Sequence, residues 1–326
     1  MRIKVFFWGV PIGLCLSALV WFFLVNLQLG VPSASSQWVD DVVQKKHALA
    51  QQVHSEGKGR LFFVGGSNVL FGIHAGEIEN ELGVETINYG LSAVMTSRKI
   101  FAEAKKSLRE GDTVVTAMEY SYYRKPKRLG EVELDYMMAH DVEGFQAMPL
   151  RERLEAMLSV NLVRLIDGLW SKVWGSDGKQ SGLYQATSID AHGDETSNDI
   201  TRMPEAFKVL ISHISPIHYT TQASEEYWLQ CKDFMEWCKS HHIRLFASFP
   251  SFLYFDEYTS PQGRVFFEQS LALYQSLGIQ VLGDPFMFMY PKEDMYDTRY
   301  HLNSEGREKR TKQMIELLKR KVFSTT

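Results

Sequence analysis

A serine hydroxyl and an imidazole are the groups in this chain best placed to do chemistry. Gly65-Gly66-Ser67-Asn68 stands where a short apolar run ends and a helical pattern begins. Small residues ahead of Ser67 let the chain turn sharply and leave the hydroxyl beside free backbone N–H groups. From there a serine can attack a carbonyl while amides hold the developing oxyanion. Such a hydroxyl is a weak nucleophile until an imidazole takes its proton, and a carboxylate keeps the imidazole in the right tautomer. Tyr296-Asp297-Thr298-Arg299-Tyr300-His301-Leu302-Asn303 offers both groups in one short segment. Each segment also reads without chemistry. Gly65-Gly66-Ser67 makes an ordinary turn with Ser67 as a helix cap, and Asn303-Ser304 beside His301 is a helix-start signal.

Bringing these residues together needs a scaffold, and the apolar pattern supplies one. Leu61-Phe-Phe-Val64 reads as a strand buried on both faces, followed by Ala75, Ile78 and Leu82 at helical spacing. Residues 84–90 form a second strand, and Ile100, Phe101, Ala104 and Leu108 mark a helix that stops before Gly111. Residues 112–120 form a third. The rhythm resumes with a helix on Tyr227, Cys231, Phe234, Met235 and Cys238, then a strand over 243–250. A helix near 261–277, a strand over 279–285 and a helix bearing Thr311, Met314, Ile315 and Leu318 complete it. Five strands alternating with helices call for a parallel sheet with helices on both faces. Residues 121–222 break the pattern: the leucines at 150, 154, 158, 162, 165 and 169 predict one long helix, and 174–202 reads as loop. This stretch is expected to be an insertion covering or flanking a site at the strand ends.

The N-terminus sets the compartment. Arg2 and Lys4 precede an uncharged run from Val5 to Val25, and the next charged residue is Asp40. Twenty-one helical residues span about 32 Å, close to the roughly 30 Å hydrocarbon core of a bilayer. A cleaved signal peptide would have an apolar region of only about 7–15 residues and a small-x-small site, which Val31-Pro32-Ser33-Ala34-Ser35 matches poorly. The expected layout is therefore an anchor over 1–30, a polar stalk over 31–58 that is helical around Asp40–His54, and a domain over 59–326. Positive charge stays cytoplasmic, so the chain is expected to be single-pass in the cytoplasmic membrane with its domain outside, in the periplasm if the cell has one.

Composition excludes several classes. In 326 residues, 45% are hydrophobic, and 35 Lys and Arg against 39 Asp and Glu give a net charge of −4. The chain is neither disordered nor collagen-like, and it has no basic excess for nucleic acid. Cys15, Cys231 and Cys238 permit at most one bridge. Cys231 and Cys238, two turns apart on one helix, read as small core residues. There is no H-E-x-x-H, paired C-x-x-C, G-x-G-x-x-G or Walker lysine, so no metal and no cofactor is expected. Trp170, Trp174 and the tyrosines at 120, 122 and 123 suit either sugar stacking or packing in a core or near a membrane.

Gly66-Ser67 after the first strand, Asn88-Tyr89-Gly90 after the second, and Asp297…His301-Leu302-Asn303 before the last helix resemble the SGNH (GDSL-like) hydrolase superfamily, in the same order along the chain. The resemblance covers residues 61–120 and 243–320. It implies a flavodoxin-like doubly wound five-stranded parallel sheet. It also implies Ser67 as nucleophile, His301 as general base, Asp297 as its orienting acid, and the amides of Ser67 and Gly90 as the oxyanion hole. Asn68, Asn88, Glu119 and Tyr120 would stand near the substrate. Two features depart from the family. Its third-block Asn is replaced by Ala117-Met118-Glu119-Tyr120-Ser121, and three residues rather than two separate Asp297 from His301.

An anchor followed by an outward SGNH-like domain is similar to membrane-anchored polysaccharide O-acetyltransferases and the D-alanyl-transfer protein of the teichoic acid pathway. This likeness implies acyl transfer, acetyl above all, from Ser67 to a cell-envelope polysaccharide such as an exopolysaccharide. A polytopic membrane O-acyltransferase would be the partner that delivers the acyl group. The same serine chemistry would serve a periplasmic carbohydrate esterase or deacetylase with water as acceptor. The missing third-block Asn leaves open a non-catalytic assembly partner.

Overall fold

Three buried parallel strands build the centre of the molecule. The computed structural model describes residues 2–52, 59–124, 129–175, 185–218 and 224–324. In chain order the elements are α1 (Arg2–Leu27), α2 (Ala34–Gln52), β1 (Leu61–Gly65), α3 (Ser67–Gly72), α4 (Ala75–Leu82), β2 (Thr86–Gly90), α5 (Ser97–Ser107) and β3 (Thr113–Ala117). Then come α6 (Glu131–His140), α7 (Val142–Ala147), α8 (Leu150–Ser159), α9 (Leu162–Trp174), α10 (Glu205–Ser212), α11 (Glu225–Ser240), β4 (Arg244–Ala247) and β5 (Phe252–Leu253). The last are α12 (Pro261–Ser276), β6 (Gln280–Val281), β7 (Met289–Tyr290) and α13 (Ser304–Lys321).

Two compact units result: residues 1–40 with 127–183, and residues 41–126 with 184–326. The larger unit is an α/β body. Its five strands are all parallel, in the order β2-β1-β3-β4-β6, and β5 and β7 form a small parallel pair of their own. Every residue of β1, β2 and β3 is buried, as expected of strands covered on both faces. Gly65 pairs in register with Gly90 on one side and Ala117 on the other, so the three central strands end level, on small residues. Helix α5 packs on β1 and on α11, which also packs on β4; α13 packs on both α3 and α4. Beyond the strands lies an aromatic cluster in which Tyr274 shares hydroxyl hydrogen bonds with Tyr123 (2.8 Å) and Tyr227 (2.7 Å).

The smaller unit is helical. Val25 of α1 is fully buried among Leu134, Met137, Met138, Phe145, Ala156, Met157, Val160 and Leu165, with Trp21 and Phe22 packed alongside. Within α1, Gly9–Leu27 is long and apolar enough to cross a membrane, with a mean hydropathy of 2.2.

Four sequence-based expectations are corrected. Residues 150–169 form two helices rather than one, because Val160 leaves helical geometry and the Asn161 side chain accepts the Arg164 amide to start α9 afresh. The stalk does not project as a solvated spacer. Val42, Val43, Lys46, Leu49 and Ala50 of α2 are buried in the larger unit; His54 and the rest of 53–58 lie outside the described residues. The insertion is not one body, since 127–183 belongs to the helical unit and 121–126 with 184–222 to the α/β unit. The 185–202 part of its predicted loop is tied there by the Asn88 amide donating to His192 O (2.9 Å), the Ala75 amide to Asp194 (2.8 Å) and the Ser304 amide to Asn198 O (2.9 Å). Predicted strand ends were generous: residues 279–285 contribute only Gln280–Val281.

Candidate active site

Ser67 opens α3 directly after β1, the strand flanked by β2 and β3. Successive crossovers run to opposite sides of the sheet here, and open α/β sheets leave a crevice at such a point. Gly66 occupies the cap position, and from 61 to 73 Ser67 is the one residue that is not buried. Its amide, the first of the helix, carries no hydrogen bond to the described residues, as helix geometry dictates for an uncapped first turn. Its hydroxyl donates to Glu119 Oε1 at 3.5 Å, the outer edge of hydrogen-bond geometry, and is weakly held.

Glu119 follows β3 and is fully buried. The same Oε1 accepts the Asn68 amide at 2.9 Å, so the carboxylate caps the second amide of α3. A side chain at Gly66 would overlap this carboxylate, so glycine there is a packing requirement. Asn68 points inward: Nδ2 donates to Ala117 O at 2.8 Å, and Oδ1 faces the guanidinium of Arg310 at 3.3 Å. Arg310, fully buried, also donates to Asn68 O (2.9 Å), Ser251 Oγ (3.0 Å) and Phe249 O (3.0 Å), joining α3, α13 and the chain after β4. Burial lowers its pKa to about 10, which leaves it cationic at neutral pH.

His301 and Asp297 meet. The imidazole Nδ1 lies 2.7 Å from Asp297 Oδ1, and both side chains are nearly buried. An ionised carboxylate only accepts, so Nδ1 donates and Nε2 is the basic nitrogen of the neutral ring. The extra residue between them does no harm, because the loop winds a full turn. Thr298 Oγ1 accepts the amides of Tyr300 (3.2 Å) and His301 (3.1 Å), and the Tyr296 amide donates back to His301 O (2.8 Å). Asn303 closes the loop, capping α13 with Oδ1 and holding Glu293 O with Nδ2 (2.6 Å).

What links the two halves is Phe71. Its ring stacks face to face on the His301 imidazole, with centroids 4.2 Å apart and planes 8° from parallel. Phe71 sits four residues after Ser67 on α3, and residues at that spacing are neighbours on one helix face, about 5–6 Å apart at Cβ. The histidine is thereby placed against the helix that Ser67 begins.

The remaining expectations for the site are revised. The Gly90 amide donates to Asn88 Oδ1 at 2.9 Å and is not available as an oxyanion donor in this arrangement. Asn88 Nδ2 reaches Val69 O (3.0 Å) and Asp194 Oδ1 (3.0 Å), so this side chain clamps α3 to β2 and the 190–195 loop. Tyr120 is ringed by Phe252, Phe266 and Phe267 at 5.1–5.7 Å. Asn68, Asn88, Glu119 and Tyr120 are all fully buried and support the site from beneath instead of facing a substrate. Phe71 and Arg310 went unread in the sequence. Arg310 had a legible signal, since it precedes Met314 and Leu318 at steps of four on the apolar face of the last helix. Cys231 and Cys238 are buried in α11 as expected, and burial pushes both thiols up to about 12. Comparison of the chain with protein-family models and with curated proteins gives no match.

Proposed function

We propose that this chain is a membrane-anchored, extracytoplasmic serine O-acyltransferase of SGNH type that acts on a cell-envelope polysaccharide. The observation that carries this reading is the Asp297–His301 pair stacked on Phe71, one turn beyond Ser67. The strand order β2-β1-β3-β4-β6 supports it, being the 2-1-3-4-5 order of flavodoxin-like sheets. Nε2 of His301 takes the Ser67 proton as Oγ attacks the acyl carbonyl. The same proton then passes to the donor's leaving group as the tetrahedral intermediate collapses to acyl–serine. A sugar hydroxyl repeats the sequence in the second half, restoring Ser67. The Ser67 amide is the donor aimed at the oxyanion. The acyl donor is a partner, which we take to be a polytopic membrane O-acyltransferase. Retention of α1 is supported by Val25 and Trp21, which a signal peptidase would strip from the helical unit's core.

Ser67→Ala in cells should abolish acylation of the polymer while the protein still folds and reaches the membrane; unchanged acyl content would refute the proposal. A second reading has its own observation: with the Gly90 amide taken by Asn88 and Glu119 standing where a donor Asn is expected, one amide remains for the oxyanion. This favours a non-catalytic partner of the membrane acyltransferase. A fluorophosphonate separates the two, since labelling at Ser67, absent in Ser67→Ala, belongs to the enzyme alone. Rapid hydrolysis of a chromogenic acetate ester would shift the assignment to an esterase.

A further inference from the structure

Helix α9 has two apolar faces, and the helical unit uses only one of them. Leu165 and Gly168 are buried and Leu169 packs against the core. Leu162, Val163, Ile166, Trp170, Val173 and Trp174 lie on the other side, exposed by between 56% at Ile166 and 71% at Trp174. At 100° per residue these six fall on one continuous arc of about 120°, wide enough to be a buried face. Asp167 and Ser171 mark its polar edge. On α8, Leu150, Leu154 and Leu158 are exposed at steps of four. Patches of this kind on a soluble surface mark something that covers them.

The neighbouring helix indicates what the cover is. Helix α9 docks on the last turns of α1: Arg164 Nη1 donates to Gln28 Oε1 (2.8 Å), and Lys172 Nζ reaches the Leu27 carbonyl. A side chain at Gly168 would strike the Gln28 amide and the Arg164 guanidinium that bond to each other there. On the α8 side, Trp21 Nε1 donates to Met157 O (2.9 Å). Helix α9 thus sits at the end of the membrane-length segment of α1, on which Leu19, Val20 and Phe23 are exposed, and its own bare arc lies on the side turned away from α1. The Trp170–Trp174 pair, with centroids 5.8 Å apart, lies on this face, and Lys172 of the same turn reaches the helix end of α1. Tryptophans gather at this level of a bilayer, and amphipathic helices with such a face lie in its interfacial plane.

We propose that the α8–α9 hairpin is a second, non-spanning membrane element, immersed in the interfacial layer of the leaflet at the C-terminal end of α1, with phospholipid as its occupant. The proposal rests on α1 being a membrane span.

The test uses the full chain with Cys15→Ser, reconstituted in vesicles of phosphatidylcholine and phosphatidylglycerol. Nitroxides are attached singly through Ile166→Cys, Val173→Cys, Leu16→Cys and Lys232→Cys. Lys232, exposed on α11 of the α/β unit, reports water and Leu16 reports the span. At 166 and 173, collisions with oxygen relative to a water-soluble nickel chelate should exceed the Lys232 ratio several-fold, at a depth of about 5–10 Å. Chelate access equal to that at Lys232 would overturn the proposal. Protection from both quenchers would also overturn it, pointing to a protein partner, with dipolar broadening identifying a second copy. If Leu16 is lipid-exposed while 166 and 173 are in water, the hairpin proposal alone fails; if Leu16 itself is in water, the anchor fails and the hairpin with it.

Discussion

A lysine ammonium without water around it needs oxygen neighbours, and Lys46 has two: Asn88 O at 2.6 Å and Gly193 O. Complete burial pushes its pKa from 10.5 down to about 7, against the partial pull of Asp194, Glu195 and Asp190. Between about pH 7 and 10.5 the unfolded chain therefore holds a proton that the folded chain has lost. Stability should rise with pH across that window, by up to about 1.4 kcal/mol per unit. Below pH 7 both states carry the proton, and the full burial cost remains. Lys46→Met should flatten this rise, as urea unfolding of both proteins at pH 7, 8 and 9 would reveal; identical pH slopes would refute it. Nothing in Gln44-Lys45-Lys46-His47 distinguishes the buried lysine from its exposed neighbour, because 100° of helix rotation separates them and only packing chooses the inward one. Asp297 and His301 were legible for the opposite reason, since one short loop holds both. Phe71, the stacking partner of His301 and 230 positions from it, was not.

At the scale of elements, the closeness of α3 to β2 governs the site. A methyl group at Gly90 would overlap the Leu70 amide, so the strand end and the helix touch backbone to backbone. Gly90→Ala should cost roughly 1–3 kcal/mol through forced displacement of α3 and should move Ser67 and Phe71 together. Thermal unfolding would show the loss, and the imidazole NMR resonances of His301 would shift as its stacking changes. An unchanged Tm and unchanged resonances would mean that α3 is not seated as described. The first strand is readable because a parallel strand covered on both faces is an unbroken apolar run, as Leu61–Gly65 is. The break between α8 and α9 was not, because leucines at steps of three and four continue across Val160-Asn161. There a capping side chain outweighs the periodicity.

For the molecule as a whole, the decisive question is whether α1 stays attached. Its final turns belong to the core of the helical unit, so protein recovered from membranes should keep the N-terminal segment through Leu27 and resist extraction at high pH. N-terminal sequencing together with carbonate washing would check this. A mature N-terminus near residue 30 would mean that the unit refolds without Val25, at a cost of about 1.5–3 kcal/mol for that side chain alone.

Read alone, the sequence determined the α/β alternation, the apolar length at the N-terminus and the pairing of a carboxylate with an imidazole before the last helix. Each is a local property, set by residues within a few turns of one another. Tertiary structure alone decided that Glu119 caps α3, that Asn88 occupies the Gly90 amide, that Arg310 lies buried behind Asn68, and that the insertion divides between two units. Those outcomes depend on which donor meets which acceptor across tens to hundreds of residues. Buried polar groups must find partners wherever packing brings them, and no local pattern encodes that choice.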